Sequence, residues 1–148
     1  MTRLREVWDR GGASVGGWCV IPSPFSAELM GLSGFDWVCL DMQHGLIGYD
    51  ALVPMLQALS RTGTPSFVRV PWNQPDHIMK ALDAGAQGVV VPMVNSTADA
   101  EAATGACRYP PRGSAVLDRA CFSLTWSPAA SWARVRCRWT SSWRSRTS

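Results

Sequence analysis

The chain has 148 residues, 47% of them hydrophobic, which suits one domain with a buried core and excludes a disordered chain. No apolar run approaches the roughly 18 residues of a membrane span, and the charged start lacks a signal-peptide core, so we expect a cytoplasmic protein. The net charge of +3 combines unlike parts: residues 1–111 hold 7 basic and 10 acidic side chains, and residues 112–148 hold 7 arginines and one acid, Asp118.

Predicted strands and helices alternate along most of the chain. After a short helix over about the first eleven residues, four strands are predicted, at 14–21, 35–42, 65–70 and 88–94. Each strand is followed by a predicted helix, at 22–34, 49–63, 74–86 and 96–107. The run 35–42 is almost continuously apolar, which is typical of a strand buried on both faces of a parallel sheet.

Local signals mark several helix ends. Pro75 stands at the first position of the third of these helices, where its missing N–H is no loss. Ser96 and Asp99 form a pattern like a capping box. Asp50 is expected to cap the second helix, which requires Pro54 to lie within its first turn.

Four repeats of strand and helix predict parallel strands joined by right-handed crossovers. A doubly wound sheet and a (β/α) barrel both fit this pattern. No GxGxxG motif follows a strand, which weakens the dinucleotide-binding option. In both folds ligands bind at the carboxyl ends of the strands.

Polar side chains gather at two such ends. Asp41, Gln43 and His44 follow the second strand, and Arg69 ends the third. Taken singly, such an Asp is more often a helix cap, such a His a surface residue and such an Arg the partner of an acid. Their presence on two adjacent strand ends predicts a site.

This set of residues suits one kind of chemistry. An Asp41 that hydrogen-bonds His44 would orient the imidazole as a general base, and Arg69 would offer a fixed cation to a carboxylate or enolate. Base and cation together suit proton removal beside a carbonyl, or cleavage of a C–C bond. Asp83 stands at a helix C-terminus, where the helix dipole disfavours an acid, so we expect it to support the Asp41–His44 pair.

Three blocks carry a family resemblance: "GFDWVCLDMQHG", "VRVPWNQPDHIMKALDAGAQGVVVPMV" and "ACRYPPRG". In their order and spacing, from about Gly17 to Gly113, the chain resembles the HpcH/HpaI aldolases. These are class II pyruvate aldolases, related to the citrate lyase β-subunit, on a (β/α)₈ barrel. The resemblance implies retro-aldol cleavage of 4-hydroxy-2-oxo acids, such as 4-hydroxy-2-oxoheptanedioate or 2-dehydro-3-deoxyglucarate, to pyruvate and an aldehyde.

The resemblance also implies roles and partners. His44 would be the base, Asp41 its partner, Arg69 the holder of the pyruvyl oxygens, and Asp83 a supporting residue. Gln43 stands where many relatives have Glu. The expected cofactor is Mg²⁺, Mn²⁺ or Co²⁺, and intact relatives are expected to be homo-oligomers.

The second half of the family pattern is missing. The resemblance places the metal ligands, a Glu and an Asp, on later strands, yet after Gly113 the chain has no Glu and only Asp118. No metal ligand is assigned. A full barrel takes about 250 residues. We therefore expect residues 1–113 to be the N-terminal half of a truncated barrel, inactive as a lyase by itself.

Residues 114–148 form a separate segment. It has four tryptophans among arginines and serines, and no Glu, Lys, Asn, Gln, Ile or Tyr. This composition is typical of a GC-rich gene read out of frame, and we expect a poorly ordered, frameshifted tail. The alternative for this segment is nucleic-acid binding through Arg and Trp. For the chain as a whole, the alternative to an aldolase is a non-catalytic half-barrel that docks onto another subunit.

Overall fold

The computed structural model describes residues 2–108 and residue 113, so the Arg- and Trp-rich tail lies outside the described residues. Within them every predicted element is present. The helices are α1 (Thr2–Asp9), α2 (Pro24–Leu32), α3 (Tyr49–Ser60), α4 (Pro75–Asp83) and α5 (Thr97–Ala106). The strands are β1 (Gly16–Cys19), β2 (Trp37–Asp41), β3 (Ser66–Arg69) and β4 (Gly88–Val90). No helix among the described residues is long and apolar enough to span a membrane.

The strand order decides between the two predicted folds. The four strands are all parallel and lie in the order β1-β2-β3-β4. A doubly wound sheet reverses its order at a switch point, and these strands do not. Sequential order with right-handed crossovers places the connecting helices on one face, as in a barrel. The predicted partial (β/α) barrel is therefore confirmed.

The sheet has two differently packed faces. On the outer face, beneath the helices, the fully buried residues are Val38, Leu40 and Val68 on the strands and Val70 directly after β3. On the inner face Cys39 and Phe67 pack with Leu4 of α1. Because strand side chains alternate, the residues two positions further on, Asp41 and Arg69, also face inwards, at the carboxyl end.

Tight packing fixes the inner face. The rings of Trp37 and Phe67 meet edge to face with centroids 5.6 Å apart. The ring centroid of Trp8, on α1, lies 6.5 Å from that of Phe67. On β4, the backbone of Gly88 lies against the Phe67 ring and leaves no room for a side chain. These contacts hold β3 in place between its neighbours and so fix the position of the strand end that carries Arg69.

The predicted N-terminal cap is found at α5 but not at α3. The capping box of α5 is confirmed, because Ser96 Oγ accepts from the Asp99 N–H at 3.2 Å and Asp99 accepts from the Ser96 N–H at 2.9 Å. The start of α3 differs. Gly48 is its N-cap, without a side-chain cap, so Asp50 lies in the first turn and Pro54 in the second. The prediction of an Asp50 cap was wrong, because the N-cap is Gly48, two residues earlier, and Asp50 is already the second residue of the helix.

Candidate functional site

The carboxylate of Asp41 is the centre of a hydrogen-bonded cluster at the carboxyl end of the sheet. Asp41 and Arg69 are direct register partners at the ends of β2 and β3. The guanidinium of Arg69 donates from Nε to Oδ1 at 2.8 Å and from Nη2 to Oδ2. Asp41 is 1% exposed and the Arg69 side chain 14%. This two-point ion pair fixes both the position and the plane of the guanidinium.

Three further donors complete the surroundings of Asp41. The indole Nε1 of Trp18, on β1, donates to Oδ2 at 3.0 Å. The backbone N–H groups of Gln43 and His44 donate to Oδ1 at 2.9 and 3.2 Å. The Trp18 ring also lies beside Arg69, with Cζ 5.2 Å from the ring centroid, which is cation–π distance. Trp18 therefore touches both members of the ion pair.

These contacts decide the protonation of the pair. Burial acts to raise the pKa of Asp41, but the hydrogen bonds from Arg69, Trp18 and the two backbone amides outweigh it and hold that pKa well below its usual range. The hydrogen bond to Asp41 in turn raises the pKa of Arg69. Asp41 is therefore an ionised anchor at neutral pH and not a proton acceptor.

The loop after Asp41 is tied to the last residue of β3 and to the residue that follows β1. The Met42 N–H donates to the Arg69 carbonyl at 2.9 Å, and the Leu46 N–H donates to the Val20 carbonyl at 2.9 Å. Gly45 lies so close to the Asp41 carbonyl that a side chain there would collide with it. The backbone that carries Gln43 and His44 is thus held in one conformation.

The structure pairs Asp41 with Arg69 and not with the imidazole of His44. Asp41 contacts His44 only through the backbone N–H, and the exposed imidazole makes no hydrogen bond among the described residues. The predicted side-chain hydrogen bond from Asp41 to His44 is therefore absent. The reason is that Arg69, opposite Asp41 in the register, occupies both carboxylate oxygens.

Gln43 belongs to this cluster through its backbone, whereas Asp83 lies away from it. Gln43 contributes its backbone N–H, while its side chain makes no hydrogen bond in the described part of the chain. Asp83 is exposed and ends α4, which runs from the carboxyl end of the sheet back to the amino end, where β4 begins. Within one chain the structure therefore brings together Asp41, Gln43, His44 and Arg69, and leaves Asp83 at the opposite edge.

The described residues do not fit a metal site. They contain no group of three or more His, Cys, Asp or Glu side chains able to hold an ion. Asp41, the one carboxylate of the cluster, already accepts five hydrogen bonds, two of them from a cation. Oxygen-bound divalent ions require several free carboxylate or carbonyl oxygens, which this cluster does not offer.

The family model named "HpcH/HpaI aldolase/citrate lyase" matches residues 15–127, most of the chain. The chain belongs to this family. The match continues past Gly113, where the sequence analysis placed the end of the resemblance.

Two named aldolases are similar to this chain in sequence. A hydroxypyruvate/pyruvate aldolase from Rhizorhabdus wittichii is 41% identical over 113 residues, covering 76% of this chain and 45% of the relative. A 5-keto-4-deoxy-D-glucarate aldolase from Klebsiella pneumoniae is 40% identical over 99 residues, covering 67% and 39%. The chain spans less than half the length of these relatives.

A solved structure confirms the fold assignment. It is an HpcH/HpaI aldolase/citrate lyase family protein from Burkholderia cenocepacia, 30% identical, with a TM-score of 0.70 over 80% of this chain and 49% of that one. The four βα units of this chain thus correspond to about half of a family barrel.

Trp18 is the site residue that sequence reasoning missed. A signal for it exists in β1, where one indole stands in the glycine-rich run "GGWC". Trp18 pairs with Cys39, which shares the inner face with Asp41 two residues further along β2. The alternation of side chains along β1 does not reveal this contact, because the register between β1 and β2 cannot be read from the sequence of either strand.

Proposed function

We propose that this chain carries the part of an HpcH/HpaI aldolase site that holds the 2-oxo acid. The observation that carries the proposal is the buried two-point pair between Arg69 and Asp41 at the carboxyl end of the sheet. The names of the relatives, both aldolases, support the same class of reaction. The proposed reaction is retro-aldol cleavage of a 4-hydroxy-2-oxo acid to pyruvate and an aldehyde.

Arg69 would bind the pyruvyl end of the substrate. Two of its five N–H groups are used on Asp41, which leaves the others for the carboxylate and carbonyl oxygens of a 2-oxo acid. The positive charge is held in place by Asp41 and Trp18, so it needs no reorganisation when the substrate carbonyl becomes an enolate. Asp41 contributes by holding Arg69.

His44 would be the base that moves the proton on the substrate hydroxyl. Its imidazole is exposed at the same rim, three residues after Asp41, and its backbone is anchored by the Asp41 carboxylate. A base must reach within hydrogen-bond distance of the proton that it takes, and an unengaged imidazole on a fixed backbone meets that need. Gln43 and Asp83 are proposed as supporting residues. Asp83 would act in this role although it lies outside the cluster around Asp41 in this chain.

The 148-residue chain is proposed to be nearly inactive as a lyase. The divalent ion of the family would stabilise the enolate, and the described residues offer it no ligand set. The test is pyruvate release from 4-hydroxy-2-oxo acids with Mg²⁺, Mn²⁺ or Co²⁺. We expect turnover far below the ordinary enzyme range of about 1–10³ s⁻¹. Turnover within that range would contradict the proposal.

A second candidate is a non-catalytic half-barrel that docks onto a full-length relative. Among the described strands, the outer edges of β1 and β4 have no partner strand, and open edges of parallel strands are ready to pair. Co-purification of the tagged chain with a full-length family member would support this role. Failure to recover such a complex from a co-expressing cell would count against it.

A further inference from the structure

A pocket between α3 and α4 lies on the helix-covered side of the sheet. We call it the α3–α4 pocket. It has a volume of about 200 Å³, and its lining residues are Met42, Tyr49, Pro71, His77, Lys80 and Ala81. Met42 packs against the core beneath the helices, whereas Asp41, directly before it, faces inwards. The pocket is therefore separate from the Asp41–Arg69 cluster, on the other side of the same strand end.

Two adjacent βα units of this chain supply the whole lining. Met42 follows β2 and Tyr49 begins α3, while Pro71 follows β3 and both His77 and Lys80 lie on α4. In the described sheet β2 and β3 lie between β1 and β4, so further strands of a barrel would be added beyond β1 and β4. The second half of a family barrel would thus be added away from this pocket.

Two polar side chains of the pocket are available to a ligand. Nδ1 of His77 is buried and makes no hydrogen bond among the described residues, while Nε2 of the same ring lies 3.8 Å from the Asp76 carboxylate. The ammonium of Lys80 lies 5.9 Å from the ring centroid of Tyr49 and forms no ion pair with a described residue. Buried polar atoms are nearly always hydrogen-bonded, so Nδ1 is suited to contact a polar group of a ligand.

The positions of His77 and Lys80 allow both to contact one group. They are three residues apart on α4, and side chains at that spacing are neighbours on a helix surface. The ammonium donates to any nearby carboxylate oxygen, and the imidazole donates through Nδ1 when that nitrogen carries the proton. Among the described lining residues Lys80 is the one fixed cation, which matches a single negative charge.

The rest of the lining is apolar, formed by the ring of Tyr49 and by Met42, Pro71 and Ala81. Apolar walls with a few convergent polar groups are the usual form of a small-molecule site, and drug-sized ligands take pockets of roughly 300–1,000 Å³. This pocket is smaller. We propose that the α3–α4 pocket binds a small organic monocarboxylate, with the carboxylate at Lys80 and His77 and the apolar body against Met42 and Tyr49.

Histidine NMR of the full 148-residue chain tests this proposal, with sodium benzoate as the probe. The chain has two histidines, so ¹⁵N labelling of histidine reports on His77 in the pocket and on His44 beside Arg69. At constant ionic strength we expect a saturable shift of the His77 signals with a dissociation constant on the order of 1 mM, and no shift of His44. Benzamide, which has nearly the same shape and no charge, should leave both residues unchanged.

Lys80→Met should raise the dissociation constant about tenfold or more, through loss of a charge-assisted hydrogen bond. Arg61→Met, which removes an exposed cation at the far end of α3, is the matched control and should leave it unchanged. Circular dichroism identifies a variant that fails to fold, and Lys80→Gln then replaces Lys80→Met. Absence of a His77 shift, equal binding of benzamide, or undiminished binding in the Lys80 variant would overturn the proposal. A shift of His44 alone would also overturn it, because benzoate would then bind at the Arg69 site, and the proposed 2-oxo acid site would stand.

Discussion

Arg69 and Asp41 end two adjacent parallel strands, and the guanidinium of the first grips both carboxylate oxygens of the second. The pair is nearly excluded from water, so each charge depends on the other. Such a pair adds little net stability over an apolar one, but removal of one partner leaves a buried charge uncompensated. The pair therefore fixes a cation at the rim of the sheet at a cost that the fold must sustain.

Asp41→Asn should destabilise the fold by roughly 3–5 kcal/mol, because Arg69 would keep a buried charge without its counterion. Chemical denaturation measures the change. The matched control is Asp83→Asn, the same substitution at an exposed acid, which should stay within about 0.5 kcal/mol of the wild type. Equal losses in the two variants would show that the buried pair has no special role in stability.

Stability should fall as the pH is lowered from about 5 towards 2. The pKa of Asp41 is lower in the folded chain than in the unfolded chain, so the unfolded chain binds the extra proton. The contribution of Asp41 is therefore fully present above its unfolded pKa of about 3.9 and is lost as the pH falls towards the folded value. Denaturation midpoints across this range should slope less in Asp41→Asn than in the wild type. Identical slopes would contradict the depressed pKa.

Trp18→Phe should cost more stability than Trp37→Phe. Both substitutions remove an indole N–H and keep an aromatic ring, but Trp18 donates to the Asp41 carboxylate and Trp37 to the Ser14 hydroxyl, at 3.0 and 3.1 Å. Hydrogen bonds to charged groups contribute about 1.5–3 kcal/mol against about 0.5–1.5 for neutral ones. Trp18→Phe should also raise the pKa of Asp41, which the pH series detects. A larger loss in Trp37→Phe would refute this order.

Much of the fold could be predicted from the sequence because it rests on local patterns. The strand at 35–42 and the capping box at Ser96 and Asp99 are each specified by a few adjacent residues. The strand order is not, since it depends on which edges pair after the chain has turned back. The repeat pattern alone therefore fitted both a doubly wound sheet and a barrel; the family resemblance implied the barrel, and the order β1-β2-β3-β4 confirms it.

The candidate site shows the same division between local and long-range information. Asp41 and Arg69 were placed at one edge of the sheet from strand ends alone. The expected partner of Asp41 was His44, three residues away, whereas the partner found is Arg69, 28 residues away. Only the register of β2 with β3 reveals that Arg69 is the partner of Asp41. In the same way, only the register of β1 with β2 reveals that Trp18 lies near Asp41.

The coding DNA tests the origin of the tail. If residues after Gly113 are read out of frame, one of the other two frames should encode an apolar strand ending in Gln and Glu, a helix, and a strand ending near an Asp. The family match to residue 127 extends the region in which the change of frame is sought to codons 113–127. The restored frame should also contain fewer tryptophans. If neither frame encodes these features, the tail is an evolved segment, and binding to single-stranded DNA becomes the next assay.

The central claim, that this chain holds the 2-oxo acid end of an aldolase site, is tested most directly by a chimera. Residues 1–108 would be joined to the second half of the Rhizorhabdus wittichii aldolase, and pyruvate release from a 4-hydroxy-2-oxo acid measured with Mn²⁺. We expect a folded, active chimera that loses about 10²-fold in turnover with Arg69→Lys and about 10²–10⁴-fold with His44→Ala. Arg61→Lys, at the exposed end of α3, should have no effect. A folded chimera without activity, or one that keeps full activity with Lys at position 69, would contradict the claim.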